Sequence, residues 1–102
     1  MNSFMLTGKV LSGLEVKATS RGIKMVCFVL EVENENKNKG FIETETFKIT
    51  CFGSVADYAT DNLKFGSMVG VNGVLCANNY SKDGKTYYTP QPLAKKLTVM
   101  SV

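Results

Sequence analysis

Apolar side chains recur at every second residue through much of this chain. Residues 4–11 alternate in this way, and residues 25–33 do so again, with Val26, Phe28, Leu30 and Val32 on one side. A period of two sends successive side chains to opposite faces of a strand. The chain is therefore predicted to consist mainly of half-buried strands, and this constrains its fold more than any other feature.

Glycine, proline and polar runs separate the strands. A polar hairpin loop is predicted over Asn34–Gly40, and an Asp-Gly turn lies within Ser81–Lys85, a sequence typical of tight hairpins. The remaining strands are predicted at Phe41–Phe52, Met68–Ala77 and Thr86–Thr89, the last interrupted by Pro90 and Pro92 and resuming over Leu93–Met100.

One segment has helical spacing instead. Val55, Ala59 and Leu63 recur every four residues, and Gly66 follows as an end signal. Ser54 and Asp57 are spaced as a capping box, so we expect the helix to begin at Ser54.

The order of elements is three strands, one short helix and two strands. Gly73, inside the fourth strand, indicates a bulge or a sharp bend, because glycine weakens a strand unless geometry requires it. This order predicts an all-β protein, a five-stranded OB-fold Greek-key barrel with its helix between strands 3 and 4. Residues 1–102 are expected to form a single domain. An SH3-like barrel is the alternative, but it has no helix at that point.

Enzymatic chemistry has little support. The chain has no histidine, which is the commonest general base, and no phosphate-binding glycine loop is visible. Four acidic residues on neighbouring strands could in principle bind a metal, but their surroundings are typical of solvated strand ends: Glu31, Glu33, Glu43 and Glu45. We expect no catalytic residues, no metal and no cofactor.

Cysteine usage and the first residues indicate a location. Cys27, Cys51 and Cys76 are widely spaced in apolar surroundings and are expected to be buried hydrophobic residues in a reducing compartment. Neither a signal peptide nor a membrane-spanning stretch is visible, so a cytoplasmic protein is predicted. The net charge of +3 favours polyanions only mildly.

The third strand carries the strongest functional signal. Strand parity places Phe52 on the polar face with Lys48, whereas Phe47 and Ile49 lie on the other face and are expected in the core. An aromatic ring beside a lysine can stack a base and hold a phosphate without reading sequence. The alternative is that the strand twists at its end and Phe52 packs under the helix.

Tyr80 is the second candidate, with Tyr87 and Tyr88 expected to face it across the hairpin. These rings can stack bases, or they can only stiffen the hairpin through cross-strand packing. Basic residues flank the same regions, and each is equally compatible with a role in solubility alone: Arg21, Lys24, Lys82 and Lys85.

A family resemblance rests on five stretches: Asn2–Val10, Phe47–Gly53, Val55–Ala59, Gly66–Leu75 and Asp83–Tyr88. In their order and spacing they resemble bacterial and phage single-stranded DNA-binding proteins over nearly the whole chain. A tailless branch, the primosomal replication protein, is the second choice, since Phe28–Glu31 and Gly40-Phe41 resemble it too.

The resemblance implies sequence-independent binding of single-stranded DNA in replication, recombination or repair. It implies stacking on Phe52 and Tyr80 and phosphate contacts from Lys48 and Arg21. The candidate DNA-binding residues are therefore Phe52, Tyr80, Lys48, Arg21, Lys82, Lys85 and Tyr88. A homo-oligomer, tetramer or dimer, is expected, with dimers forming through the first strand.

Three departures from the family pattern qualify this expectation. The chain has no tryptophan, and Thr46 stands where the family has another stacking aromatic residue. The family's acidic C-terminal tail is missing, so recruitment of replication enzymes through it is not expected. An OB-fold used only for protein contacts, or as a tRNA-binding appendage, remains the alternative from another functional class.

Overall fold

The fold is taken from a computed structural model, which describes residues 1–36 and 40–101. Its elements are β1 (Phe4–Val10), β2 (Glu15–Ala18), β3 (Lys24–Asn36), β4 (Phe41–Phe52), α1 (Gly53–Asn62), β5 (Met68–Ala77), β6 (Tyr80–Lys82), β7 (Lys85–Tyr87) and β8 (Pro90–Ser101). Residues 37–39 of the predicted hairpin loop lie outside the described residues. Residues 34–36 of that predicted loop instead continue β3, and Gly40 lies in a turn just before β4.

Five strands close into a barrel in the order β1-β5-β8-β4-β3, because β1 also pairs with β3 through Lys9 and Val10. Strands β4 and β8 are parallel and meet in the single pair Thr50–Leu93, whereas the other pairings are antiparallel. With α1 between its third and fourth strands, the barrel is an OB-fold, so the predicted fold class is confirmed.

The core is made by the inward-facing residues of the alternating pattern. Phe28, Leu30 and Ile49 are its largest fully buried side chains. Helix α1 buries Ala56 and Ala59 against this core. Within the described ranges, no helix has the length and apolar composition needed to cross a bilayer.

Two glycines allow strands to approach closely. A Cβ atom on Gly73 would lie 1.9 Å from the Leu93 carbonyl oxygen, and one on Gly8 would lie 2.2 Å from that of Glu31. The pairing of β5 with β8 shifts register between Asn72 and Gly73. The predicted irregularity at Gly73 is therefore confirmed, because no larger residue fits at this bend.

The same irregularity changes which side chains of β8 face outward. Asn72 pairs with Lys96 and Gly73 pairs with Ala94, so Lys95 is an extra residue opposite them. Ala94 and Leu97 are buried while Lys95 and Lys96 are both exposed. A bulge breaks the period of two in this way, which places two adjacent lysines on the surface.

The predicted capping box was wrong. Helix α1 begins at Gly53, its N-cap is Phe52, and no side chain caps it. Gly53 has a φ of 58°, which lets the chain turn directly from β4 into the helix. Ser54 therefore lies inside the helix, two residues after the N-cap position.

The predicted strand boundaries were wrong in two places. Strand β2 was missed because it has only four residues, all of them exposed, which is too short a stretch for the alternation of Val16 and Ala18 with Glu15 and Lys17 to indicate a strand. Strand β8 begins at Pro90 and contains Pro92, opposite Ala77 and Leu75 of β5. Two prolines of the same parity lack N–H groups on the same side of a strand, so both fit where that side has no partner.

Candidate nucleic-acid interface

The outward face of β4 carries the first group of candidates. Phe52 is 39% exposed and Lys48 is exposed, whereas Ile49 on the opposite face is fully buried and Phe47 is half-buried against the core. Across the sheet, Phe52 pairs with Met25 of β3. Phe52 therefore lies outside the core, contrary to the alternative in which it packs under the helix.

A groove of about 360 Å³ lies beside these residues and is lined by β3, β4, β8 and the end of β5. Its walls include Lys48, Thr50 and Phe52 from β4, Cys76 from β5, and Gln91 and Leu93 from β8. Two of its lining residues, Thr50 and Leu93, are the pair through which β4 and β8 meet.

The aromatic arm, which we define as β6 and β7 with their turn, carries the second group. The rings of Tyr80 and Tyr87 stack with centroids 5.1 Å apart and planes 15° apart. Asp83 and Gly84 form the predicted tight turn, with φ values of 54° and 73°. Tyr88 follows the end of β7 and is 75% exposed, so the direct partner of Tyr80 is Tyr87.

The arm joins the barrel through a short clamp. The Asn78 backbone N–H donates to the Thr89 carbonyl oxygen over 3.0 Å, and the Thr89 hydroxyl donates to the Asn78 carbonyl oxygen. Asn78 also lines the groove. The arm therefore begins at the edge of the groove.

The predicted basic residues lie on three different parts of the chain: β4, the arm and the β2–β3 turn. Arg21 is exposed in the β2–β3 turn, which is closed by the hydrogen bond from the Thr19 N–H to the Ile23 carbonyl oxygen. Lys82 and Lys85 pair across the end of the arm, and the Lys85 Nζ lies 5.7 Å from the centre of the Tyr87 ring. Within the described ranges, neither these residues nor Lys48 forms an ion pair.

Lys24, another basic residue predicted to flank the binding face, already contacts residues of helix α1. Its ammonium group lies 3.1 Å from the Asp57 carboxylate and 2.7 Å from the Thr60 hydroxyl. It therefore connects β3 to helix α1. We do not count it among the candidate phosphate-binding residues.

Strand β2 carries a pair of oppositely charged side chains. Lys17 and Glu15 are 2.6 Å apart. The hydrogen bond and attraction between them lower the pKa of the Glu15 carboxyl and raise the pKa of the Lys17 ammonium. The charge of Lys17 is thus offset locally.

Sequence reasoning identified Lys48 and Phe52 of the groove but missed others of its lining residues, among them Gln91 and Cys76. Cys76 was expected to be buried like Cys27 and Cys51, but it is exposed because the last residues of β5 extend beyond the barrel. Burial raises the pKa of the Cys51 thiol to about 12. Gln91 was missed because the two prolines around it suggested a break in the strand.

The described residues contain no group of three or more His, Cys, Asp or Glu side chains placed to hold a metal ion. The chemistry available at this surface is that of aromatic rings, amides and ammonium groups. Such groups bind a polyanion with flat bases by stacking and charge.

The sequence matches the model of the Single-strand binding protein family over residues 1–100. The chain belongs to this family. It is 29% identical over 99 residues to Single-stranded DNA-binding protein 3 of Listeria innocua, a match that covers 95% of this chain and 62% of the relative. Single-stranded DNA-binding protein 1 of Staphylococcus aureus is 28% identical, with 95% and 64% covered.

The fold is shared with a solved structure. The single-stranded DNA-binding protein of Thermus aquaticus superposes with a TM-score of 0.83 at 18% identity, covering 99% of this chain and 50% of that one. The chain therefore spans about half the length of that protein, and between half and two thirds of the length of the curated relatives above.

Proposed function

We propose that this protein binds single-stranded DNA with little sequence preference. The observation that carries the proposal is the exposed Phe52 ring on the same outward face of β4 as the exposed Lys48, on the wall of a groove in a member of this family. A base stacked on Phe52 brings its phosphate within reach of a lysine on the same strand.

The aromatic arm extends the binding surface. Tyr80 is 52% exposed and Tyr88 75% exposed, so each has a ring face available to a base. Lys82 and Lys85 lie at the end of the arm, and Arg21 lies on the turn before β3. In this arrangement the DNA strand lies in the groove, and basic residues on both sides hold its phosphates.

Single strands are favoured over duplex because stacking on a side chain requires an unpaired base. The helix of the described ranges packs its apolar side against the barrel. It is not available to enter a major groove, which is how many proteins read duplex DNA.

We further propose a non-catalytic role in replication, recombination or repair, in the cytoplasm. Cys27, Cys51 and Cys76 are free thiols, which suits a reducing compartment. The protein is proposed to act as a single domain and a homo-oligomer. From Phe4 to Thr7, β1 pairs with β5 on one side and has no partner strand among the described residues on its other edge, and an open edge can pair with another copy.

Titration with oligo-dT, followed by tyrosine fluorescence, tests the proposal. Stacking should quench the emission, and a hairpin duplex should bind at least tenfold more weakly, a difference of about 1.4 kcal/mol. Equal affinity for both ligands would contradict the proposal. Absence of quenching together with binding to a protein partner would favour an interaction module instead.

A further inference from the structure

A second pocket lies outside the groove, where helix α1 meets β8. It has a volume of about 290 Å³ and is lined by Ser54, Val55, Tyr58, Lys96 and Leu97. It combines an aromatic ring, a lysine and a hydroxyl, the same kinds of group as the walls of the groove. We call it the helix pocket.

The lysine of the helix pocket owes its position to the bulge in β8. Because the bulge turns Lys95 and Lys96 both outward, Lys96 is exposed beside buried Leu97. Within the described ranges it forms no ion pair. Its ammonium group is therefore available to an anion.

The aromatic ring of the helix pocket is fixed in place. The Tyr58 hydroxyl accepts a hydrogen bond of 3.2 Å from the Val99 backbone N–H. The side chain is 36% exposed, so part of it remains open to a ligand. A ring already held in position loses little rotational freedom when a base stacks on it.

The helix pocket follows directly from the groove along both of its walls. On one wall, Phe52 lines the groove and Ser54 lines the helix pocket, with one residue between them. On the other, Leu93 lines the groove and Lys96 lines the helix pocket. A chain leaving the groove past Phe52 therefore meets the helix pocket next.

Acidic residues do not block this path at its beginning. Asp57 is engaged by Lys24 at 3.1 Å, and Asp61 lies about one helical turn beyond Tyr58 toward the end of α1. The carboxylate of Asp61 therefore lies beyond the helix pocket rather than among its lining residues.

We propose that the helix pocket binds a further nucleotide of the same single strand, with its base on Tyr58 and its phosphate on Lys96. The inference rests on the proposed function and adds a subsite to it. The subsite contributes only when the strand is long enough to pass beyond Phe52.

The test compares Lys96→Ala with Lys95→Ala, which removes the same charge from the same bulge but from a residue that does not line the helix pocket. Binding is measured at several salt concentrations with oligo-dT of about 4 to about 16 nucleotides. With the longest strand, Lys96→Ala should reduce the slope of log affinity against log salt by about 0.7, one phosphate contact. Lys95→Ala should leave it unchanged, and neither variant should affect the shortest strand.

A second pair of variants tests the ring. Tyr58→Phe keeps the ring and should bind the longest strand within about twofold of the unaltered protein, whereas Tyr58→Leu should weaken that binding at least about fivefold. Thermal melting checks that both variants fold. If Tyr58→Leu does not fold, the two lysine variants decide.

Equal effects of the two lysine variants, or no effect of Lys96→Ala at any length, would overturn the inference while leaving the groove intact. Failure of the unaltered protein to bind any oligo-dT would overturn the proposed function together with the subsite. The length series thus separates the two failures.

Discussion

The groove and the aromatic arm present similar side chains on very different supports. Phe52 ends a twelve-residue strand that pairs with β3 along its whole length. Tyr80 lies in a three-residue strand that, among the described residues, pairs with one other three-residue strand. The barrel fixes the position of Phe52, whereas Tyr80 is positioned by one turn, one ring stack and the hydrogen bonds between Asn78 and Thr89.

The two regions therefore differ in how firmly the rest of the protein holds them in place. An isolated two-stranded hairpin is marginally stable in water, so the arm can change position without disturbing the core. The groove cannot, because its walls belong to strands of the barrel. We therefore expect the two regions to respond differently to substitution.

The largest expected effect is a loss of stability when a core side chain of the barrel is truncated. Phe28 is 2% exposed in the core, and Phe28→Ala should lower the free energy of unfolding by about 3–5 kcal/mol. Phe47 was expected to behave in the same way, but it is only half-buried, so Phe47→Ala should have a smaller effect. Urea denaturation measures both, and an equal loss would mean that the two rings contribute alike to the core.

Phe52→Ala should affect binding but not folding. Loss of one stacked base should weaken oligo-dT binding by about 1–3 kcal/mol, with little change in melting temperature because the ring lies outside the core. Fluorescence titration and thermal melting measure the two quantities. A large drop in melting temperature with unchanged affinity would show that Phe52 is a structural residue.

Gly84→Val should disturb the arm alone. Gly84 has a φ of 73°, and a side chain in this region costs about 1–2 kcal/mol. Urea denaturation of the barrel should be unchanged while oligo-dT binding weakens. Asp83→Gly is the matched control, since it relieves a positive φ in the same turn and should preserve binding. Loss of barrel stability in Gly84→Val would show that arm and barrel are coupled.

The smallest effect should be electrostatic. Lys48→Ala in the groove and Lys85→Ala on the arm should each reduce the salt slope of binding by about 0.7, and neither should change base preference. Titrations at several salt concentrations give both slopes. An unchanged slope for Lys48→Ala would remove the outward face of β4 from the binding surface.

The barrel and the face of Phe52 were predictable because they depend on the period of two. Phe52 and Ile49 differ in parity, and the closed sheet kept this difference. The turn at Asp83 and Gly84 was also predictable, because few residues adopt positive φ there.

The parts that could not be predicted depend on contacts between distant strands. Gln91 reaches the groove only because β8 continues through two prolines beside β5. The stacking of Tyr80 on Tyr87 rather than Tyr88 follows from the register of the arm. The helix pocket requires a bulge that brings Lys96 toward Tyr58, and sequence spacing does not reveal that approach.

The exposed thiol of Cys76 provides a site for attaching a fluorescent label. All three cysteines lie in the described ranges, and Cys27 and Cys51 are buried, so a thiol-reactive dye should attach at Cys76 in the folded protein. Because Cys76 lines the groove, the dye would sense whatever occupies it. Occupancy could then be followed by emission without adding or removing any residue of the chain.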